Sequence, residues 1–220
     1  MRGFSWAIGG TTILLSLACA GGSGPDEDGD VYIDTFFDSG EPGIQNLPDA
    51  TDDDDDDDDV SDSEDATDSV EVPDSAYCAD VIDWDANWSE WEEEVVVLVN
   101  ERRAAGAICG TDEYAPTHPL TMNAELRCAA RVHSKDMHDR RFFDHINPDG
   151  ETPWDRIAQA GYNSAWAGEN VALGYPNARS VVDGWMTSPG HCANIMSDTF
   201  DEIGVGYYTP DHYWTQTFGG

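Results

Sequence analysis

Residues 185–206, WMTSPGHCANIMSDTFDEIGVG, decide the fold. The stretch opens on an apolar helix end at Trp185 and Met186. A Ser-Pro-Gly break follows. Pro189 lacks a backbone donor and Gly190 permits positive φ, so the helix is expected to stop there. The break presents His191, held by backbone geometry. After a short apolar turn, residues 203–207 (IGVGY) read as a strand. Past residue 200 the apolar period changes from 3.6 to 2. Residues 201–210 and 212–218 are expected to be two strands joined by a Thr-Pro-Asp turn.

Upstream of that stretch the period is helical. Residues 88–107 place Trp91, Val95, Leu98 and Val99 at helical spacing, with Asn87 as the expected cap. Glu92, Glu93 and Glu94 stand near the start, where the helix dipole favours them. Val95, Val96 and Val97 are β-prone, but length and flanks favour helix. Residues 120–138 form a second helix, striped by Leu126, Ala130, His133 and Met137, with Thr121 or Asn123 as cap. Residues 152–160 form a third, capped by Thr152 with Pro153 in the first turn. Residues 179–188 form a fourth, on Val181, Val182 and Trp185. Helices grouped around a small terminal sheet indicate the α+β class.

The N-terminus is a different material. Residues 1–19 read as an export signal, with Arg2 as the early charge and an apolar run too short for a membrane span. Two endings compete. Ala18-Cys19-Ala20 fits a cleaved secretion signal. LLSLAC resembles a bacterial lipoprotein box, with Ser16 where Leu is usual, which would place lipid on Cys19. The chain is therefore expected to be exported, either held on the cell envelope as a lipoprotein, at the outer membrane or surface, or secreted. Residues 21–80 hold 23 acidic residues and no Lys or Arg, including eight successive aspartates at 52–59. Such a segment buries too little apolar surface to offset its chain entropy. Residues 20–80 are read as a disordered acidic linker ahead of one domain at 81–220. Within the linker, the apolar island at 31–37 (VYIDTFF) has no specific account.

Net charge is −35, and residues 81–220 alone hold 22 acids against nine Arg and Lys. Both parts repel phosphate backbones, so nucleic acid is excluded as a partner. An anionic membrane surface is equally unfavourable, leaving a lipid anchor as the one route to a membrane. Beyond Cys19, four cysteines remain: 78, 109, 128 and 192. An exported chain with four cysteines allows three two-disulfide connectivities. The favoured one is Cys109 with Cys192 and Cys78 with Cys128. It ties the end of the first helix to the central motif and the end of the linker to the second helix.

The motifs VNERRAAGA (99–107), HSKDM (133–137), FFDHINPDG (142–150), DRIAQAGY (155–162), GEN (168–170) and SPGHCANIM (188–196) follow in that order, then GVG at 204–206. Together they resemble the CAP superfamily, which covers cysteine-rich secretory proteins, antigen 5 and pathogenesis-related-1 proteins. The bacterial SCP-like extracellular branch is the nearer match. The resemblance spans roughly 95–218. It implies a three-layer α–β–α sandwich with a small antiparallel sheet. It also implies a cavity lined by two His and two Glu.

By motif, His145 corresponds to the first histidine, Glu169 to the GEN glutamate and His191 to the second histidine. Ser188 occupies the position of the second glutamate, so three of four are kept. Asn170 and His133 complete the expected lining, although a histidine on a core stripe is more often a buried structural one. Two imidazoles and a carboxylate would suit a divalent metal such as zinc, which could activate a water. The same residues would equally make a hydrogen-bonded cluster that shapes a cavity. The preferred reading is a binding module for a small apolar ligand or an envelope protein. The alternative is a metal-dependent envelope hydrolase using His145, Glu169 and His191.

Overall fold

The computed structural model describes residues 32–38, as backbone, and residues 70–220. The export signal, Cys19 and the aspartate run at 52–59 lie outside the described residues. In chain order the elements are β1 (Tyr32–Asp38), α1 (Ala86–Ala105), β2 (Ala107–Cys109), β3 (Asp112–Tyr114), β4 (Thr121–Met122) and α2 (Ala124–Arg140). They continue with α3 (Pro153–Ala160), β5 (Ala167–Leu173), α4 (Ala178–Thr187), α5 (Pro189–Met196), β6 (Glu202–Tyr208) and β7 (Tyr213–Gly219). One sheet runs β1-β5-β7-β6-β4, and β2 with β3 makes a separate hairpin. The long pairings are antiparallel, while the short β4 runs parallel to β6. The chain is α+β, as its periodicity indicates.

Alternation along β7 assigns the layers. Trp214 and Phe218 enter one core with Val95, Val99, Val182, Trp185 and Ile195, which belong to α1, α4 and α5. Thr215 faces the other way and hydrogen-bonds Ser134 of α2 at 2.8 Å. Tyr213 joins Met137 of α2 with Val171 and Leu173 of β5. Helices therefore cover both faces of the sheet.

The glycines of GVG have a specific role. A Cβ on Gly204 would come within 2.0 Å of the Leu126 backbone, and one on Gly206 within 2.3 Å of Ala130. Backbone packs on backbone here, so α2 lies directly on β6 and brings His133 down toward the sheet.

Several elements differ from their expected form. Helix α1 starts two residues early because Asp85, not Asn87, is its cap: Asp85 accepts from the Asn87 amide. It ends at Gly106, whose φ of 76° turns the chain into β2. Of the two caps considered for α2, Asn123 serves, accepting from Leu126 N–H. Thr152 and Asp155 form a capping box at α3. The break at 188–190 ends one helix and starts the next. Pro189 sits in the first turn of α5, where its missing N–H costs nothing. His191 is thus in a helical turn, and the expected apolar turn after it is a helix.

Packing also reaches into residues that composition assigns to the linker. Residues 32–38 form a strand along the whole length of β5. Val72 is buried with Cys78, Val81, Cys128 and Ala129. Val70 C=O accepts from Arg127 at 2.7 Å. Disulfides join Cys78 to Cys128 and Cys109 to Cys192. Besides β1, the packed residues therefore run on continuously from near residue 70, ahead of residue 81. Apolar side chains and a cysteine set among many acids override average composition.

Candidate functional site

Glu169 stands in the middle of β5, paired with Thr217 of β7 on one side and Phe36 of β1 on the other. It is 1% exposed. Its carboxylate accepts from His145 Nδ1 at 2.7 Å and from one Arg156 nitrogen at 3.0 and 2.9 Å to its two oxygens. His133 Nε2 lies 3.8 Å away. Burial is the largest single influence and opposes the charge, but the Arg156 guanidinium, His133 and the His145 hydrogen bond together outweigh it, and the carboxyl is held at about 2.

Each partner is aimed by its own segment. Arg156 leaves α3 and also donates to the carbonyls of His145 and Glu151, at 2.9 and 3.1 Å. It locks the loop carrying His145 to the helix that follows it. His145 is fixed by that carbonyl contact and by Glu169, which makes its Nδ1 the protonated nitrogen. His133, fully buried on α2, donates Nε2–H to Asp144 C=O at 3.0 Å. Burial and the Arg156 charge push it down to about 3, so it is a neutral core imidazole.

The neighbouring residue faces the opposite side of the sheet. Asn170 donates to Gln216 Oε1 at 3.0 Å and to the His191 carbonyl at 3.3 Å. Asn194 donates to Asn170 Oδ1 at 2.9 Å and to the Glu169 carbonyl at 3.3 Å. This amide chain fastens α5 to β5 and β7. His191 is buried in the first turn of α5, and its carbonyl is what ties it to Asn170. Ser188 caps the junction of α4 and α5: its N–H donates to Trp185 and its C=O accepts from Cys192.

The structure thus gathers His145, Glu169 and His133 on one face, with Asn170 and the His191 backbone on the other. Arg156 went unread in the sequence. A signal was present: it sits three residues after Pro153, beside Ile157, on the stripe that Ala160 continues. A cation on an apolar stripe calls for a buried carboxylate. A cleft of about 410 Å³ adjoins the cluster on the outer side of Arg156, lined also by Tyr77, Asp136, Asn147 and Glu151. None of the six residues expected to line a cavity is among its walls.

The donor set does not fit a divalent metal. Both Glu169 oxygens already accept from a guanidinium, and a cation bound there would meet a positive charge at hydrogen-bond range. Ser188 replaces the second carboxylate. Among the described residues, no group of three or more His, Cys, Asp or Glu is arranged to hold an ion.

Known proteins agree with this architecture. The family model of the cysteine-rich secretory protein family (CAP) matches residues 96–218. The chain belongs to the CAP family. It is 37% identical over 132 residues to the uncharacterized protein YkwD of Bacillus subtilis (strain 168), covering 60% of this chain and 48% of that one. It is 25% identical over 135 residues to the uncharacterized membrane protein YlbC of the same organism, covering 61% and 36%. The chain thus spans half or less of these relatives. A solved extracellular protein containing an SCP domain, from Bacillus anthracis, superposes with a TM-score of 0.53 at 28% identity, covering 59% of this chain and 40% of that one.

Proposed function

We propose that this chain is an exported CAP-domain binding module displayed on the cell envelope. The cluster of Glu169, His145, His133 and Arg156 serves as a rigid, charge-balanced floor beneath the binding region. The observation that carries this reading is the guanidinium on Glu169. A general base or metal ligand needs a basic carboxylate, and the charge and hydrogen bonds of Arg156 and His145 lower the basicity of Glu169. The partner class is a small apolar ligand or an envelope protein. Export is supported by the signal-like residues 1–19 and by likeness to an extracellular SCP-domain protein. Anchoring is assigned to lipid on Cys19.

The test is a turnover screen of purified full-length chain against ester and peptide substrates, with and without chelator. No chelator-sensitive turnover is expected. Turnover that chelator removes and that His145→Ala abolishes would restore the hydrolase reading.

A further inference from the structure

Among the described residues, strand β1 has one neighbour. It pairs antiparallel with β5 over seven residues, from Tyr32 opposite Leu173 to Asp38 opposite Ala167, and forms the edge of the sheet. Without it, β5 would be the edge, presenting a row of backbone donors and acceptors seven residues long. Such an edge is a template for another strand. The template is the GEN strand itself: Phe36 is opposite Glu169 and Thr35 opposite Asn170. Helix α5, which carries His191, also approaches β1.

The connection is unlike any other in the fold. The other strands of this sheet follow their neighbouring elements through short links. Residues 39–69 separate β1 from the rest, without one Lys or Arg and with the eight aspartates among them. A segment joined through so long a link is present at its site at an effective concentration of about a millimolar. A strand held by main-chain pairing at that concentration can be exchanged by another.

We propose that the outer edge of β5 is a binding site for an extended apolar peptide strand, and that residues 32–38 occupy it as an exchangeable internal ligand. The partner is a protein segment that adds to the sheet by β-augmentation, with main-chain hydrogen bonds giving affinity. The acidic linker keeps the internal strand near enough to return. This rests on the binding-module reading and names its partner class and its regulation.

Hydrogen exchange on the full chain tests it. Thr35→Pro with Phe36→Pro removes two successive amides; because neighbouring residues point to opposite edges, one of them faces β5. In the double variant, amides of Ala167–Leu173 that face β1 should exchange at least about tenfold faster, while α2 and β6 stay protected. A synthetic peptide of residues 31–38, VYIDTFFD, should bind the double variant at about 0.1 mM or better, which is what a tenfold effect of a strand held at about a millimolar requires, and restore that protection. It should bind the unaltered chain at least about tenfold more weakly. In the unaltered chain, saturating peptide should speed exchange of residues 32–38 and leave β5 protected. Unchanged β5 exchange in the variant, or peptide binding no tighter than to the unaltered chain, would overturn the proposal. So would residues 32–38 that stay protected under saturating peptide. These outcomes are independent of chelator-sensitive turnover, which addresses the underlying reading.

Discussion

Among the described residues two glutamates are buried, Glu92 and Glu169, and their surroundings differ. Glu92, on α1, is fully buried. It accepts from Arg127 at 2.9 Å, Arg131 at 2.7 Å, Trp84 Nε1 at 2.9 Å and the Tyr207 amide at 3.0 Å. Glu169, on β5, has one guanidinium and an imidazole at hydrogen-bond distance, with a second imidazole at 3.8 Å. Around Glu92 every donor keeps its proton across ordinary pH. Around Glu169 two of the neighbours are imidazoles, which titrate near neutrality when free. Glu92 joins α1, α2, β6 and the segment after residue 70, and it fastens the fold. Glu169 lies on the strand whose outer edge takes β1. Burial alone does not mark a functional carboxylate; the kind of donor and the neighbouring edge distinguish the two.

Removing each charge should separate them. Glu92→Gln leaves Arg127 and Arg131 buried without their carboxylate and should cost on the order of 3–5 kcal/mol. Glu169→Gln should cost less, about 2–3 kcal/mol, because Arg156 keeps the carbonyls of His145 and Glu151. Denaturant unfolding of both variants measures the order. A larger loss at Glu169 would reverse the assignment of fastener and floor.

Acid sharpens the contrast gradually, one pH unit at a time. His133 is depressed to about 3 in the folded chain against an ordinary 6.5. Below pH 6.5 the unfolded chain binds a proton there that the folded one refuses. Stability should therefore fall as pH drops from 6.5 toward 3, with a slope of up to about 1.4 kcal/mol per pH unit from this group. Glu169, at about 2 against an ordinary 4.5, acts in the same direction. Its contribution is complete above pH 4.5 and is lost as pH falls toward 2. Unfolding free energies of His133→Gln across pH 4–6.5 should show a flatter profile. An unaltered slope would mean that His133 is not buried neutral.

Much of this was legible in the chain. The period change near residue 200, the cap Thr152, the glycines of GVG and the motif order all lead to the α+β sandwich. Each reflects local geometry or a backbone requirement. Strand β5 was not legible as a strand, because AGENVAL is buried on both faces and so lacks alternation. Strand β1 was hidden by the acids around it. Within the site, the motifs pointed to His145 and Glu169. Arg156 and Glu92 were missed because a charge reads as surface unless its place on an apolar stripe is weighed. Glu92 lies four residues after Trp88 and three before Val95, on the buried side of α1.

The central claim is that Arg156, and not a metal, balances Glu169. The direct measurement is the melting temperature of the full-length chain with excess zinc, beside His145→Ala and His191→Ala. An ion bound only by the folded state at a hundredfold excess over its dissociation constant would add about 2.7 kcal/mol. This account predicts that zinc leaves all three melting temperatures where they were. A rise of several degrees in the unaltered chain, absent from both histidine variants and reversed by chelator, would contradict it.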